Sequence, residues 1–168
     1  MNAFDGVLTI LGVLVGGFFS HVRDAGTVLT LGMAASFAMG VSGFYGAYMT
    51  EKAERSRSLA ELEESTLSSL KDTDIGHASI YATIVVSMVD GFSPFLAAAI
   101  AVLPFFLGNA LPVETAFYIA FGLAFAELFG IGVFLGSVSR DRMIYSGLKM
   151  VTAGILIAAV GYLLGTTS

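Results

Sequence analysis

Residues 79–107 read SIYATIVVSMVDGFSPFLAAAIAVLPFFL, an apolar run whose one charged side chain is Asp90. The run is too long for a short core helix and long enough to cross the ~30 Å hydrocarbon layer of a bilayer. Counted from Ser79 at helical rise, Asp90 is expected about 17 Å below the entry surface, near mid-bilayer. An unpaired carboxylate is costly there, so it must face protein, water or a cation. Pro94 stands four residues on and has no N–H to give the carbonyl of Asp90. One residue therefore offers a carboxylate and a freed backbone oxygen at membrane depth, a pairing with which broken membrane helices bind cations.

The rest of the chain has the same character. Apolar residues make up 56% and charged residues 12%, proportions of a polytopic membrane protein rather than a soluble domain. There is no cysteine, which excludes disulfides and thiolate metal centres, and the two histidines are too few for an imidazole-built zinc enzyme. No Ser–His or metal-ligand motif marks an enzyme, and a non-enzymatic role is expected. A net charge of −5 argues against nucleic acid as a partner. The first apolar segment lacks a basic lead-in and a cleavage site, so it reads as a spanning helix rather than a signal peptide.

Five apolar segments are expected to span the bilayer, over residues 2–19, 27–49, 79–107, 113–137 and 144–164. The third is overlong, which fits a tilted helix or one broken at Pro94 and Pro104. Lys52, Arg55, Arg57 and Lys71 lie between the second and third segments, and Arg140, Arg142 and Lys149 flank the junction of the fourth and fifth. The opposite side carries only Arg23. This asymmetry puts the N-terminus in the cytoplasm and the C-terminus outside, with the plasma membrane of a prokaryote as the expected location. Residues 51–77 open EKAERSRSLAELEES and are expected to continue helix two as a short cytoplasmic helical extension, an acidic insert docked through Leu59, Leu62, Thr66 and Leu70. KDTDIGH then breaks the helix. The expected fold is an all-α integral membrane protein, residues 1–168 forming a single membrane domain.

Residues 31–52 align without a gap on residues 121–142, pairing Gly32 with Gly122, Ala34 with Ala124, Gly40 with Gly130, Phe44 with Phe134 and Gly46 with Gly136. Asp5-Gly6 and Asp90-Gly91 echo each other in the same way. Two helical hairpins in one orientation plus a fifth helix account for this pattern, and so does the shared composition of glycine-rich apolar helices.

Glu127 is a second intramembrane acid. Counted from Ser139 it lies about 18 Å deep, the level expected for Asp90, so the two can share a cation or a proton. The rival reading is a polar pair joining helices three and four through a hydrogen bond. Ser79, Thr83, Ser87, Asp90 and Ser93 recur at helical spacing, which predicts one polar face and the wall of a hydrated path. Serines and threonines bonding their own backbone would produce the same spacing. Met39 and Met88 fall near the acids, where a thioether suits a soft or borderline metal and a carboxylate suits Fe²⁺ or Mn²⁺; methionine also serves as core filler. Asp5 is placed at the cytoplasmic mouth. Glu51, Glu54, Glu61 and Glu64 form two ExxE pairs that can gather divalent cations, or a solvated face balanced by Lys52, Arg55 and Arg57. His21, Asp24 and Glu114 mark an exit or merely a polar loop. Gly12/Gly16, Gly132/Gly136 and Gly161/Gly165 are close-packing patterns, and five helices barely enclose a path alone, so a homodimer is expected.

Asp5-Gly6-Val7-Leu8-Thr9 with Gly12-Val13-Leu14-Val15-Gly16 resembles the DGxxT…GVVxG opening of the vacuolar iron transporter family. Tyr48-Met49-Thr50-Glu51-Lys52-Ala53-Glu54 resembles that family's helix two exit, EYxSxKAE. The resemblance implies export of Fe²⁺ or Mn²⁺ from the cytosol by proton exchange, through a dimer whose path lies between subunits, with Asp5 as the helix one pathway aspartate. Ala47 stands where the family has a helix two glutamate, and the acidic insert is shorter than the family's metal-collecting domain. Asp90 and Glu127 are expected to replace the missing glutamate. The partners expected are the lipid bilayer, a second copy and the metal ion as substrate, with no resident cofactor. The alternative is a non-transporting membrane scaffold or assembly factor, its buried acids acting as helix glue.

Overall fold

The computed structural model describes residues 2–167, the side chains of Asn109, Thr166 and Thr167 excepted. Five α-helices follow one another: α1 Asn2–Phe19, α2 Ala25–Thr66, α3 Asp74–Val102, α4 Val113–Val138 and α5 Met143–Thr167. A 3-10 segment, Leu103–Ala110, joins α3 to α4. All five are long and apolar enough to cross a membrane. Each also exposes large apolar side chains, α1 excepted: Phe37 and Tyr45 on α2, Val89 and Phe92 on α3, Phe134 on α4, Leu156 and Leu164 on α5. Such a surface belongs against hydrocarbon, so this is a helical membrane protein.

The ends of the helices follow local chemistry. Asp24 caps α2, accepting from the Thr27 N–H at 2.7 Å and the Thr27 hydroxyl at 2.6 Å. At the far end Leu67 turns left-handed with φ 51°, and Glu63 accepts the Leu70 N–H at 2.7 Å to close the turn into α3. Pro94 does not break α3, contrary to one expectation. Its orphaned acceptor, the carbonyl of Asp90, receives the Asn2 side-chain amide at 3.3 Å. Pro104, in the first turn of the 3-10 segment, does mark where the α-helix ends.

α1 is the hub. Val7, Ile10, Leu11, Leu14 and Val15 form a core with Ala98, Ala101 and Val102 of α3 and Ala120, Ala124 and Leu128 of α4. Phe18, Phe117 and Phe121 close it with edge contacts at the end opposite the basic residues. Glycines set the close crossings. A Cβ at Gly6 would lie 2.7 Å from the Pro94 Cα, and one at Gly91 would lie 2.8 Å from the Phe44 N. Gly132 meets the Ser146 carbonyl in the same way, so α4 packs on α5.

These contacts give the register. α1, α3 and α5 run one way, since Asn2 meets Asp90, Gly6 meets Pro94, and Gly154, Gly161 and Gly165 meet Leu11, Val15 and Phe19. α2 runs against α3, with Gly43 at the Asp90 carbonyl and Gly32 at Val102. Continuing that pairing, Met49, the last apolar residue of α2 before Thr50-Glu51-Lys52, falls opposite Val85. Through α5 the α4–α5 turn reaches the same level. We call this side of the molecule the basic end. Gly32 and Gly40 pack tightly on α3, but their repeat partners Gly122 and Gly130 have nothing within 4 Å. The aligned glycines therefore do not share a packing role.

Candidate functional site

The polar face expected along α3 is a packing seam. Ser87 is fully buried and Thr83 nearly so. Each satisfies itself on its own helix: the Thr83 hydroxyl donates to the Ser79 carbonyl at 2.9 Å and the Ser87 hydroxyl to the Thr83 carbonyl at 2.6 Å. Gly91, against Phe44, and Pro94, against Gly6, continue the same buried face. Around Gly91 and Pro94 the hydrated wall expected here is replaced by contact with α2 and α1, because small residues let those helices approach closely, while Ser79 and Thr83 line a groove toward the basic end.

Asp90 and Glu127 lie at different levels. Asp90, half-buried, sits beside Asn2 at the start of α1. Leu128, next to Glu127, shares the space around Gly154 with Leu11. Nine residues of α1 separate Asn2 from Leu11, about 13 Å at helical rise. The depth count from Ser79 misplaces Asp90: measured from Val85, where α2 turns polar, it lies about 8 Å inside the basic end. Asp5 is one helical turn beyond Asn2 and so slightly deeper than Asp90, not shallower as expected. Glu127 is central. Both of its carboxylate oxygens are buried, and neither meets a hydrogen-bond donor among the described residues.

α1 leaves one strip uncovered. Asp5, Thr9 and Gly16 are exposed, as is Ser20 just past the helix, Gly12 is half-exposed, and all lie within about 80° of one another at 100° per residue. No large apolar side chain of α1 is exposed. Two of the three glycine pairs are used inside the chain, Gly132/Gly136 on α5 and Gly161/Gly165 on Val15 and Phe19 of α1. The third is open: a Cβ at Gly16 would meet nothing within 4 Å and one at Gly12 only Ile157, at 3.9 Å.

The other candidates are scattered. Met39 packs against the core, and Met88 is exposed on the outer face of α3. Glu51 pairs with Arg55 and Glu61 with Arg57, each at 2.9 Å, while Glu54 and Glu64 are exposed. No group of three or more histidine, aspartate or glutamate side chains placed to hold a metal occurs among the described residues. His21 and Glu114 are exposed at the opposite end. Asp24 serves as a helix cap, and the Thr27 hydroxyl and N–H hold its carboxyl below the usual carboxylate range. Glu63, not singled out from sequence, closes the α2–α3 turn, and the Leu70 N–H lowers its pKa. Asn2 was also missed; the orphaned carbonyl created by Pro94 was the signal that some donor had to be there.

The uncharacterized protein MJ0645 of Methanocaldococcus jannaschii is 35% identical over 163 residues, spanning 95% of this chain and 83% of that protein. No family model matches the chain.

Proposed function

The chain belongs to the family of that Methanocaldococcus jannaschii protein, and for this member of it we propose a transporter that moves Fe²⁺ or Mn²⁺ out of the cytosol in exchange for protons. The working unit is a homodimer in which the strips of two α1 helices face each other and line the path. The observation that carries this reading is the strip itself. A face bearing Asp5, Thr9, Gly16 and Ser20 is a poor lipid contact, whereas every other helix turns large apolar side chains outward. The open Gly12/Gly16 pair lets a second backbone come close. The resemblance of this same helix to the DGxxT…GVVxG opening agrees with it.

Asp5 is then the first intramembrane ligand, with Asp90 nearby at the basic end. Glu127, central and with neither carboxylate oxygen meeting a donor among the described residues, is the proton-holding group. Seven of the eight Lys and Arg residues at one end put that end in the cytosol of a prokaryotic cell, the N-terminus with it. On this reading the α2 extension is cytoplasmic and its exposed Glu54 and Glu64 gather metal, while the paired Glu51 and Glu61 do so less. The scaffold reading needs the two acids to bond each other, and the unpartnered Glu127 oxygens speak against it.

The test is Mn²⁺ uptake into proteoliposomes with a pH dye inside. Asp5→Asn should lower metal flux about tenfold or more, and Glu127→Gln should uncouple flux from proton movement. Wild-type flux and coupling in both variants would reject the proposal.

A further inference from the structure

Just beyond the basic end, a groove of about 490 Å³ runs between the α2 extension and the first turns of α3. That volume lies within the range of small-molecule sites. Its walls divide by chemistry. Lys71 and His77 line the part away from the bundle, Lys52 lines its middle between the levels of Ile80 and Ile84, and Tyr48 lines the part nearest the bundle. Lys52 holds its ammonium 5.7 Å from the Tyr48 ring centre and forms no ion pair among the described residues. Lys71 acts on Glu63 through space but is likewise in no ion pair. Arg55 also lines the groove, its guanidinium tied to Glu51. The one acid in the lining is Asp72, so the groove is net positive.

Its position decides what it fits. The apolar part of α2 ends at Met49, opposite Val85, so the hydrocarbon boundary falls there. Ile84, Tyr81 and Ile80 lie within the next turn and a half of α3, all exposed; Lys52 falls opposite Ala82, between the two isoleucines, and Lys71 and His77 lie beyond them. The groove therefore sits in the headgroup layer, with Lys71 and His77 at its outer end, Lys52 midway and Ile84 toward the acyl chains.

We propose that this groove binds the phosphate headgroup of an anionic phospholipid, with Lys52 and Lys71 as the phosphate contacts and an acyl chain lying along Ile80 and Ile84. A free phosphate would use the lysines but has no use for the isoleucine wall; a neutral lipid would use the wall but leave the lysines uncompensated. The site is separate from the α1 strip, and its test does not depend on metal transport.

The full-length protein in mild detergent is melted with added phosphatidylglycerol, phosphatidylcholine or inorganic phosphate. At phosphatidylglycerol concentrations a hundredfold above Kd the melting temperature should rise by about 5 °C or more. Phosphatidylcholine and inorganic phosphate should leave it unchanged. The Lys52→Gln/Lys71→Gln double variant should melt like wild type without lipid and lose the rise, while Arg140→Gln/Arg142→Gln at the neighbouring basic turn should keep it. An equal rise with phosphatidylcholine, an equal rise with inorganic phosphate, or a rise retained in the lysine variant would each overturn the assignment.

Discussion

α1 and α3 carry polar residues at the same helical spacing and use them in opposite ways. On α3, Thr83 and Ser87 are buried and bonded to their own backbone. On α1, Asp5, Thr9, Gly16 and Ser20 remain uncovered at the surface of the most central helix. A polar stripe is therefore not yet a path. What distinguishes the two is whether a neighbour in the same chain has already taken the face. Small polar residues that close a seam are finished within the chain, and those left open are the ones the proposed dimer would use.

The contrast is broken most severely at the glycines. Gly6→Val should cost about 3 kcal/mol or more, because its side chain would run into the Pro94 backbone rather than a movable side chain. Gly16→Val meets nothing within 4 Å and should change monomer stability by about 1 kcal/mol or less, yet abolish self-association. Thermal melts and light scattering on both variants separate the effects. A Gly16→Val protein that still dimerises would leave the open strip without the role given to it.

Polar substitutions sharpen the same comparison more gently. Thr9→Val should lower Mn²⁺ flux by about tenfold, and Ser87→Ala by less than twofold, if the α1 stripe is the one that meets water. A larger loss from Ser87→Ala would return the path to α3.

The ends of α2 are a smaller test, away from both stripes. Asp24→Ala should lower the melting temperature at neutral pH. The Asp24 carboxyl has a pKa below its unfolded value of 3.8, so its contribution is complete above that pH and disappears as pH falls through the lower folded value. The gap between variant and wild type should accordingly close in strong acid, and a gap that persists there would assign the loss to something other than the charged cap. Leu67 is left-handed and 92% exposed. Leu67→Gly should raise stability by about 1 kcal/mol, because it removes a Cβ clash and gives up no packing. An unchanged melting curve would mean that the turn holds no such strain.

Much of the fold was legible one helix at a time. The first segment ends where it was expected, at Phe19, and the fourth and fifth agree to within a few residues. The extension of α2 past Lys52 followed from its composition, but the break expected at KDTDIGH comes earlier: α2 ends at Thr66 and α3 already begins at Asp74. The site was less legible. Asp90 was placed by counting from Ser79, but α3 stays apolar beyond the level at which α2 and the α4–α5 turn become polar. Only the pairing of Met49 with Val85 shows where to begin the count. Glu127 was found from sequence alone, since a charge inside such a run is conspicuous; that it has no donor depends on what stands opposite.

Run length, charge exclusion and the Lys/Arg asymmetry determined that this is a five-helix membrane protein with an acid deep in its fourth helix. Those terms are sums over neighbouring residues, and neighbours are given by the chain itself. The tertiary structure decided which face of each helix is spent inside the subunit, that Asn2 answers the carbonyl freed by Pro94, and that the two acids stand at different levels. Those outcomes depend on register between helices, and register is set by where glycines allow backbones to meet, a property of pairs of helices that no single segment contains.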